Sequence, residues 1–383
     1  MRAAVFYGAN NIANDDAYSN YRVKDKGVVL DVNACALCGY DVRVFRHGHR
    51  KVTPPIILGH EICATTKDDI SIQNPVAATN DTPSSIIIKA GSRVAVSPII
   101  PCLNCIYCAN KEYNLCTNLK ELGSNINGGF AECIKIPENI LKVGGLVPVP
   151  DNLSDEEAAL LEPLACCLNG FFHIMGSPIT KLNGNKNTVA IIGDGPIGLI
   201  HLQISKRLCG ARTVLVGMIP KRMTLAKAMG ADATLSFHNK SNINSGYHNY
   251  HDSSYNEDQT LRNILDFTDG IGANIIIIAT SNPIALNFAI KIASKNSIIN
   301  IFSGMPTNNN IVLDANWLHY NQTSITGSFS STPYMLQEAA RIASTGKIDL
   351  SKIISHRYSL SEIKDAIMAT EKYYGLRAVI NKF

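Results

Sequence analysis

Hydrophobic and polar positions change rhythm partway along this chain. Up to about residue 150 the apolar runs are short and strand-like: Val28 to Val32, Ile86 to Lys89, Arg93 to Val96 and Phe130 to Ile136. Gly, Pro and Asn separate them, a texture that predicts a mostly antiparallel, barrel-like domain. The opening, Met1-Arg-Ala-Ala-Val-Phe-Tyr-Gly8, carries too short an apolar segment for a signal peptide and reads as a first strand. Two polar stretches interrupt this half. Residues 65–85 read as a surface insertion, and 111–127 wrap a run of cysteines.

From Leu153 the pattern lengthens. Ser154-Asp-Glu-Glu157 is an N-cap with an acidic first turn, and it opens an apolar helix from Ala158 to Phe172. A buried strand follows, Thr188 to Ile192, then Gly193-Asp-Gly195-Pro-Ile-Gly198, an apolar helix from Leu199 to Leu208, and a second strand, Thr213 to Val216. The alternation continues with helix Met223 to Met229, strand Ala233 to Phe237, helix Leu261 to Phe267, strand Asn274 to Ala279, helix Ile284 to Ala293, strand Ser297 to Phe302 and a sixth strand, Ser324 to Phe329. Strands alternating with helices predict a parallel, doubly wound sheet with right-handed crossovers. Residues 238–259 are polar and read as a surface loop. The tail has a helix from Pro333 to Ser344 and a short strand near Ala378 to Ile380, and is long enough to return to the first domain.

The fold class is therefore α/β in two domains. Length agrees, since 383 residues is roughly two to three times the usual domain size. A formal net charge of +4, with Lys and Arg dispersed, argues against a nucleic-acid surface. No apolar run approaches the roughly eighteen residues of a membrane span, so a cytoplasmic protein is expected.

Eleven cysteines are an odd count, and four of them cluster. Cys102, Cys105, Cys108 and Cys116 can close a tetrahedral Zn²⁺ site of the structural type. Four buried thiols fit poorly, because Asn104, Tyr107, Asn110, Lys111 and Glu112 between them are polar. An iron–sulfur cluster or a nucleic-acid zinc ribbon are the alternatives, the latter without a second CxxC pair or a basic stripe. Cys38 in Cys-Gly-Tyr-Asp41, His60 and Glu61 after Gly59, and Glu162 in Leu-Leu-Glu-Pro form a second possible set. Glu162 lies among apolar residues and needs a cation or a strong partner to stay charged. Together these donors describe a mixed S/N/O zinc site able to keep one position open for catalysis.

The glycine turn fits a dinucleotide. Gly193 permits the tight bend, Gly195 lets backbone approach a pyrophosphate, and Gly198 lets helix pack on strand, with Pro196 and Ile197 opening the helix. The acid that ordinarily binds the ribose of NAD is absent after the second strand, where Gly217 stands, followed by Lys221 and Arg222. Glycine there leaves room for a 2′-phosphate that either cation could neutralise, so NADP is favoured over NAD.

Cys38-Gly-Tyr-Asp, Gly59-His-Glu61, the four-cysteine lobe, Gly129-Phe-Ala-Glu132, Glu162-Pro-Leu-Ala, the glycine turn and Gly327-Ser-Phe occur in an order that resembles the zinc-dependent medium-chain dehydrogenases, of the polyol (sorbitol) and threonine branch. The resemblance implies a GroES-like catalytic domain over 1–164 and 331–383 and a Rossmann domain over 165–330. It implies that Cys38, His60 and Glu162 ligate a catalytic zinc with Glu61 as an exchangeable fourth, in a cleft facing the nicotinamide, and that the four-cysteine lobe holds structural zinc. It also implies a homodimer or homotetramer, and oxidation of a secondary alcohol such as a polyol, cyclitol or sugar alcohol. A threonine-type substrate, or a non-catalytic NADP(H)-binding relative, are the alternatives. One residue departs from the family: Tyr40 stands where a Ser or Thr begins a proton relay, so it either replaces that hydroxyl or fills a pocket wall. Arg46 and His47 are further candidate substrate contacts.

Overall fold

Ten residues, Gly27–Ala36, form the strand around which half of the chain is built. One edge pairs antiparallel with Glu61–Thr66; the other pairs with Cys133–Pro137 along its first half and with Arg377–Lys382 near its end. The sheet continues through Arg93–Val96 to Leu146–Pro148 on one side and through Ile354–Ser359 on the other, seven strands in all. A β-bulge between Val32 and Ala34 shifts the register just before the strand delivers Leu37 and Cys38 to the start of a helix. Beside this sheet, Ala3–Gly8 pairs with Asn11–Asp15 and Ile56–Ile57. The apolar side chains of these strands, with Phe6, Phe130, Leu30 and Ile62 among the fully buried ones, make one continuous core.

The protein is represented by a computed structural model that describes residues 1–18, 26–73, 85–176, 187–237, 257–306, 310 and 312–383. It divides into two compact units, Met1–Cys166 with Ser330–Phe383, and Cys167–Phe329. The polar stretches expected at 65–85 and 238–259 fall largely outside the described residues. What is described of the first is a hairpin, Ile70–Gln73 paired with Ser85–Ile88; of the second, only the start of the helix Glu257–Phe267.

In the second unit six strands lie parallel in the order Ala233–Ser236, Arg212–Gly217, Thr188–Ile192, Ala273–Ile278, Ala293–Ile301, Ser324–Gly327. All of Thr188–Ile192 is buried, as central parallel strands with helices on both faces must be. Each such Val or Ile contributes about 1.5–3 kcal/mol. The strand order reverses between Thr188–Ile192 and Ala273–Ile278, which is the switch point where open α/β sheets place their ligands.

Some boundaries differ from the sequence expectation for identifiable reasons. The helix expected at 158–172 begins earlier, as Asp155–Ala159 under a Ser154 cap, and restarts as Leu161–Met175. Pro163 has no N–H to offer the carbonyl of residue 159, so the first helix stops there. The helix expected at 199–208 is α-helical over Pro196–Gln203 and continues as a π-turn over Ile204–Leu208. The helices Ala315–Asn321 and Ile363–Glu371 and the strand Ile354–Ser359 are not foreseen. The strand shows why: none of its residues is fully buried, so it carries no alternation strong enough to mark it.

Candidate metal centres and the dinucleotide turn

All eleven cysteines are free thiols, and four of them converge. The sulfurs of Cys102, Cys105, Cys108 and Cys116 lie within 4.8 Å of one another. Zinc bound tetrahedrally at about 2.3 Å from each sulfur requires sulfur–sulfur separations of about 3.8 Å. The observed 3.5 Å (Cys105–Cys108) and 4.0 Å (Cys102–Cys108) bracket that value. Backbone N–H groups point at the sulfurs. The Cys102 amide donates to Cys116 Sγ at 3.2 Å, and the amides of Thr117 and Cys108 pull the Cys105 thiol down to about 5. A loop that stabilises thiolates and holds them at this spacing suits a closed, structural zinc site.

The second donor set is assembled from two elements of the first unit. Cys38 is the N-cap of the helix Gly39–His47, and His60 and Glu61 lie at the start of the strand Glu61–Thr66. Their ligand atoms lie within 4.8 Å of one another. Asp41, wholly buried, ties the two elements together. Its Oδ2 accepts from the Cys38 amide at 2.9 Å, its Oδ1 accepts from the Gly59 amide at 3.2 Å, and the same Oδ1 stands 3.6 Å from His60 Nδ1. Burial alone would lower the pKa of His60, but the Asp41 carboxylate overrides it and holds the imidazole well above its ordinary value.

Glu61 is fully buried, and burial pushes its carboxyl up to about 7 despite the opposing Arg377. Arg377 Nη2 donates to Oε1 at 2.6 Å, and its Nη1 donates to the Leu37 carbonyl at 3.1 Å. The other carboxylate oxygen, Oε2, has no hydrogen-bond partner among the described residues. A buried carboxylate oxygen left unpaired is costly, and the carboxylate that carries it groups with a thiol and an imidazole. That orphan oxygen is what a bound cation would satisfy, so the residues fit a zinc ion.

Glu162 is buried as expected but lies outside the group that Cys38, His60 and Glu61 form. Its Oε1 accepts from the Cys166 thiol at 3.2 Å. Burial raises its pKa, while the His60 and Arg377 charges oppose that rise. Among the described residues Glu61, expected as the exchangeable fourth donor, groups with Cys38 and His60, whereas Glu162, expected as a ligand beside them, is not part of that group. Tyr40 is half-buried, with its ring edge-on to His60 at 5.8 Å and its hydroxyl 2.9 Å from Ser124 Oγ and 3.3 Å from His49 Nδ1. It is both a wall and a hydrogen-bonding group. Arg46 is engaged elsewhere, with its guanidinium paired to Glu371 and Nη1 donating to Asn10 Oδ1 at 2.8 Å. Asp41, Arg377, Ser124 and His49 escaped the sequence reading. Only Asp41 left a local signal, as an acid in the first turn of a helix that begins at a candidate ligand.

In the second unit the glycine turn lies at the switch point. A Cβ on Gly193 (φ +123°) would stand 2.7 Å from the Ala279 carbonyl oxygen, and one on Gly198 would stand 1.9 Å from the Gly193 oxygen. Both positions must therefore be glycine. Gly195 has nothing within 4 Å of its would-be Cβ, the open approach that a pyrophosphate needs, and it caps the helix Pro196–Gln203. Of the cations offered to a 2′-phosphate, Lys221 is exposed, whereas Arg222 is buried beside Asp194, 3.8 Å from its carboxylate.

Known proteins share both halves. Residues 24–151 match the alcohol dehydrogenase GroES-like domain, and 196–345 the zinc-binding dehydrogenase family. D-arabitol-phosphate dehydrogenase of Enterococcus avium is 28% identical over 345 residues, covering 89% of this chain and 86% of the relative. Sorbitol dehydrogenase of Bacillus subtilis (strain 168) is 28% identical over 371 residues, covering 96% and 92%. Among solved structures, a zinc-binding dehydrogenase from Sinorhizobium meliloti 1021, bound to NADP, superimposes with a TM-score of 0.78 at 25% identity, covering 99% of this chain and 98% of that one. Likeness over nearly the whole length, with both halves matched by their family models, makes this chain a member of the zinc-binding medium-chain alcohol dehydrogenase family.

Proposed function

We propose that the protein oxidises a secondary alcohol of the polyol, cyclitol or sugar-alcohol class, or reduces the matching ketone, with a nicotinamide dinucleotide as redox partner. The observation that carries this reading is the convergence of Cys38, His60 and Glu61 within 4.8 Å, with Glu61 Oε2 buried and unpaired among the described residues. When bound, zinc supplies a Lewis acid that polarises the substrate oxygen, and the dinucleotide supplies the hydride acceptor. The chain's own residues do the positioning. Asp41 fixes the His60 ring through Nδ1 and holds the backbone of Cys38, so that thiol and imidazole present one geometry. Arg377 keeps Glu61 Oε1 occupied and turns the carboxylate so that Oε2 is the free acceptor. Tyr40, anchored by Ser124 and His49, forms one wall beside His60 and offers its hydroxyl to a substrate oxygen. Cys102, Cys105, Cys108 and Cys116 hold a second zinc that stiffens their loop.

The family's polyol relatives, one acting on sorbitol and one on a sugar-alcohol phosphate by their names, support the substrate class. The test is a panel of sorbitol, arabitol, inositols, simple secondary alcohols and threonine on zinc-replete protein, scored by absorbance of the reduced nicotinamide and paired with metal analysis. Two zinc ions per chain and turnover of a polyol are expected. One zinc per chain, held by the thiol lobe, with no turnover of any alcohol, would refute the reading in favour of a dinucleotide-binding relative without catalysis.

A further inference from the structure

The glycine that closes the second strand of the dinucleotide unit has its missing side chain supplied from elsewhere. Gly217 ends Arg212–Gly217, where such folds ordinarily place an acid for the adenosine ribose. The sequence suggests that the vacancy is room for a 2′-phosphate; the structure fills that room. A Cβ on Gly217 would stand 2.6 Å from both Cβ and Oδ2 of Asp194, the middle residue of the glycine turn. Asp194 reaches across from the end of Thr188–Ile192, and its Oδ2 accepts from the Met218 amide at 2.7 Å and the Ile219 amide at 2.6 Å. Its Oδ1 lies 3.8 Å from Arg222 Nη1, and the side chains of Asp194 and Arg222 are only 11% and 8% exposed.

Two consequences follow from this arrangement. The two amides and the buried guanidinium that a phosphate monoester would use at this strand end already face an internal anion. Ribose hydroxyls, by contrast, are donors in need of an acceptor, and an ionised carboxylate has roughly four lone-pair positions, of which the two amides use about half. Resting on the dinucleotide reading given above, we infer that Asp194 replaces the strand-end acid and makes the protein select NAD(H) over NADP(H), the reverse of the expectation drawn from Gly217 alone. A 2′-phosphate would meet a fixed like charge, which costs affinity without touching NAD.

The experiment is direct binding to zinc-replete, full-length protein, with NADH and NADPH titrated separately and followed by nicotinamide fluorescence, and folding checked by circular dichroism. The wild type is expected to bind NADH at least about tenfold more tightly than NADPH, and Asp194→Asn to shrink that ratio about tenfold or more. Arg222→Gln serves as the second variant. Because Arg222 faces Asp194, its loss is expected to move the NADPH-to-NADH ratio by less than about threefold, whereas a phosphate-binding arginine would move it tenfold or more. A wild type that prefers NADPH, a folded Asp194→Asn with an unchanged ratio, or an Arg222→Gln that loses only NADPH would each overturn the assignment while leaving the dehydrogenase reading intact. Failure of the wild type to bind either dinucleotide would overturn both.

Discussion

Replacing Asp41 with asparagine tests whether one buried carboxylate assembles the Cys38–His60–Glu61 set. Asp41 meets three groups at once: the Cys38 amide at 2.9 Å, the Gly59 amide at 3.2 Å and His60 Nδ1 at 3.6 Å. Asparagine has nearly the same shape, but one of its two terminal atoms is a donor. Whichever way the amide is turned, it faces a backbone N–H donor to donor, and that buried N–H loses its acceptor. An unsatisfied buried donor costs about 1–3 kcal/mol, so the variant is expected to unfold at a correspondingly lower denaturant midpoint. The larger specific effect is on the metal. Loss of the carboxylate behind a zinc-binding histidine typically weakens metal affinity about 10–100-fold, which is about 1.4–2.8 kcal/mol.

The two effects separate by assay. Equilibrium denaturation reads the first, and zinc competition against a chelator of known affinity reads the second. Because the thiol lobe does not involve Asp41, only one of the two zinc-binding phases is expected to shift. A variant that holds both zinc ions with wild-type affinity would refute the claim that Asp41 positions the site, even if its stability fell. Equal weakening of both phases would point to general unfolding instead.

Three further outcomes are expected. Cys105→Ser removes one donor from the four-thiol lobe, so the protein should carry one zinc ion fewer per chain, and its 102–116 segment should become sensitive to limited proteolysis; retention of the wild-type zinc content would count against a closed structural site. Gly198→Ala would drive a Cβ to 1.9 Å from the Gly193 oxygen, and is expected to destabilise the second unit by about 3 kcal/mol or more and to abolish dinucleotide binding, checked by thermal unfolding and NADH titration. His201 is wholly buried, neither ring nitrogen has a partner among the described residues, and burial lowers its pKa to about 3. The unfolded chain, with a histidine near 6.5, therefore binds the extra proton first. Stability is full above about pH 6.5 and falls by about 1.4 kcal/mol per unit as pH drops from there toward 3. His201→Phe, which keeps a ring against Phe302, should remove that part of the slope, and denaturation curves at pH 7, 6 and 5 that fall in parallel for both proteins would disprove it.

What the sequence made legible and what it hid divide along one line. The thiol lobe closes within fifteen residues and the glycine turn within six, so spacing alone announces each. The alternation of helices and strands after Leu153 likewise shows the parallel sheet, because burial on both faces leaves unbroken runs such as Val189–Ile192. Contacts between distant segments leave no such trace. Arg377 reaches Glu61 across 316 positions, and nothing near either residue marks the pair. How close Glu162 comes to Cys38, His60 and Glu61 was hidden for the same reason, since it depends on how a strand start and a helix start face each other.

Gly217 shows a subtler form of this limit. In the sequence it is an acid that is missing, and a missing side chain invites the conclusion that space is available. In the fold the glycine is required, because Asp194, twenty-three positions earlier, occupies the volume a side chain would need and holds the next two amides. An acid stands on the neighbouring turn and none at the strand end, and steric exclusion leaves room for a side chain at only one of the two places. A departure from a motif therefore has to be interpreted together with whichever side chain now fills the space, and for the βαβ turn that side chain lies inside the glycine pattern itself.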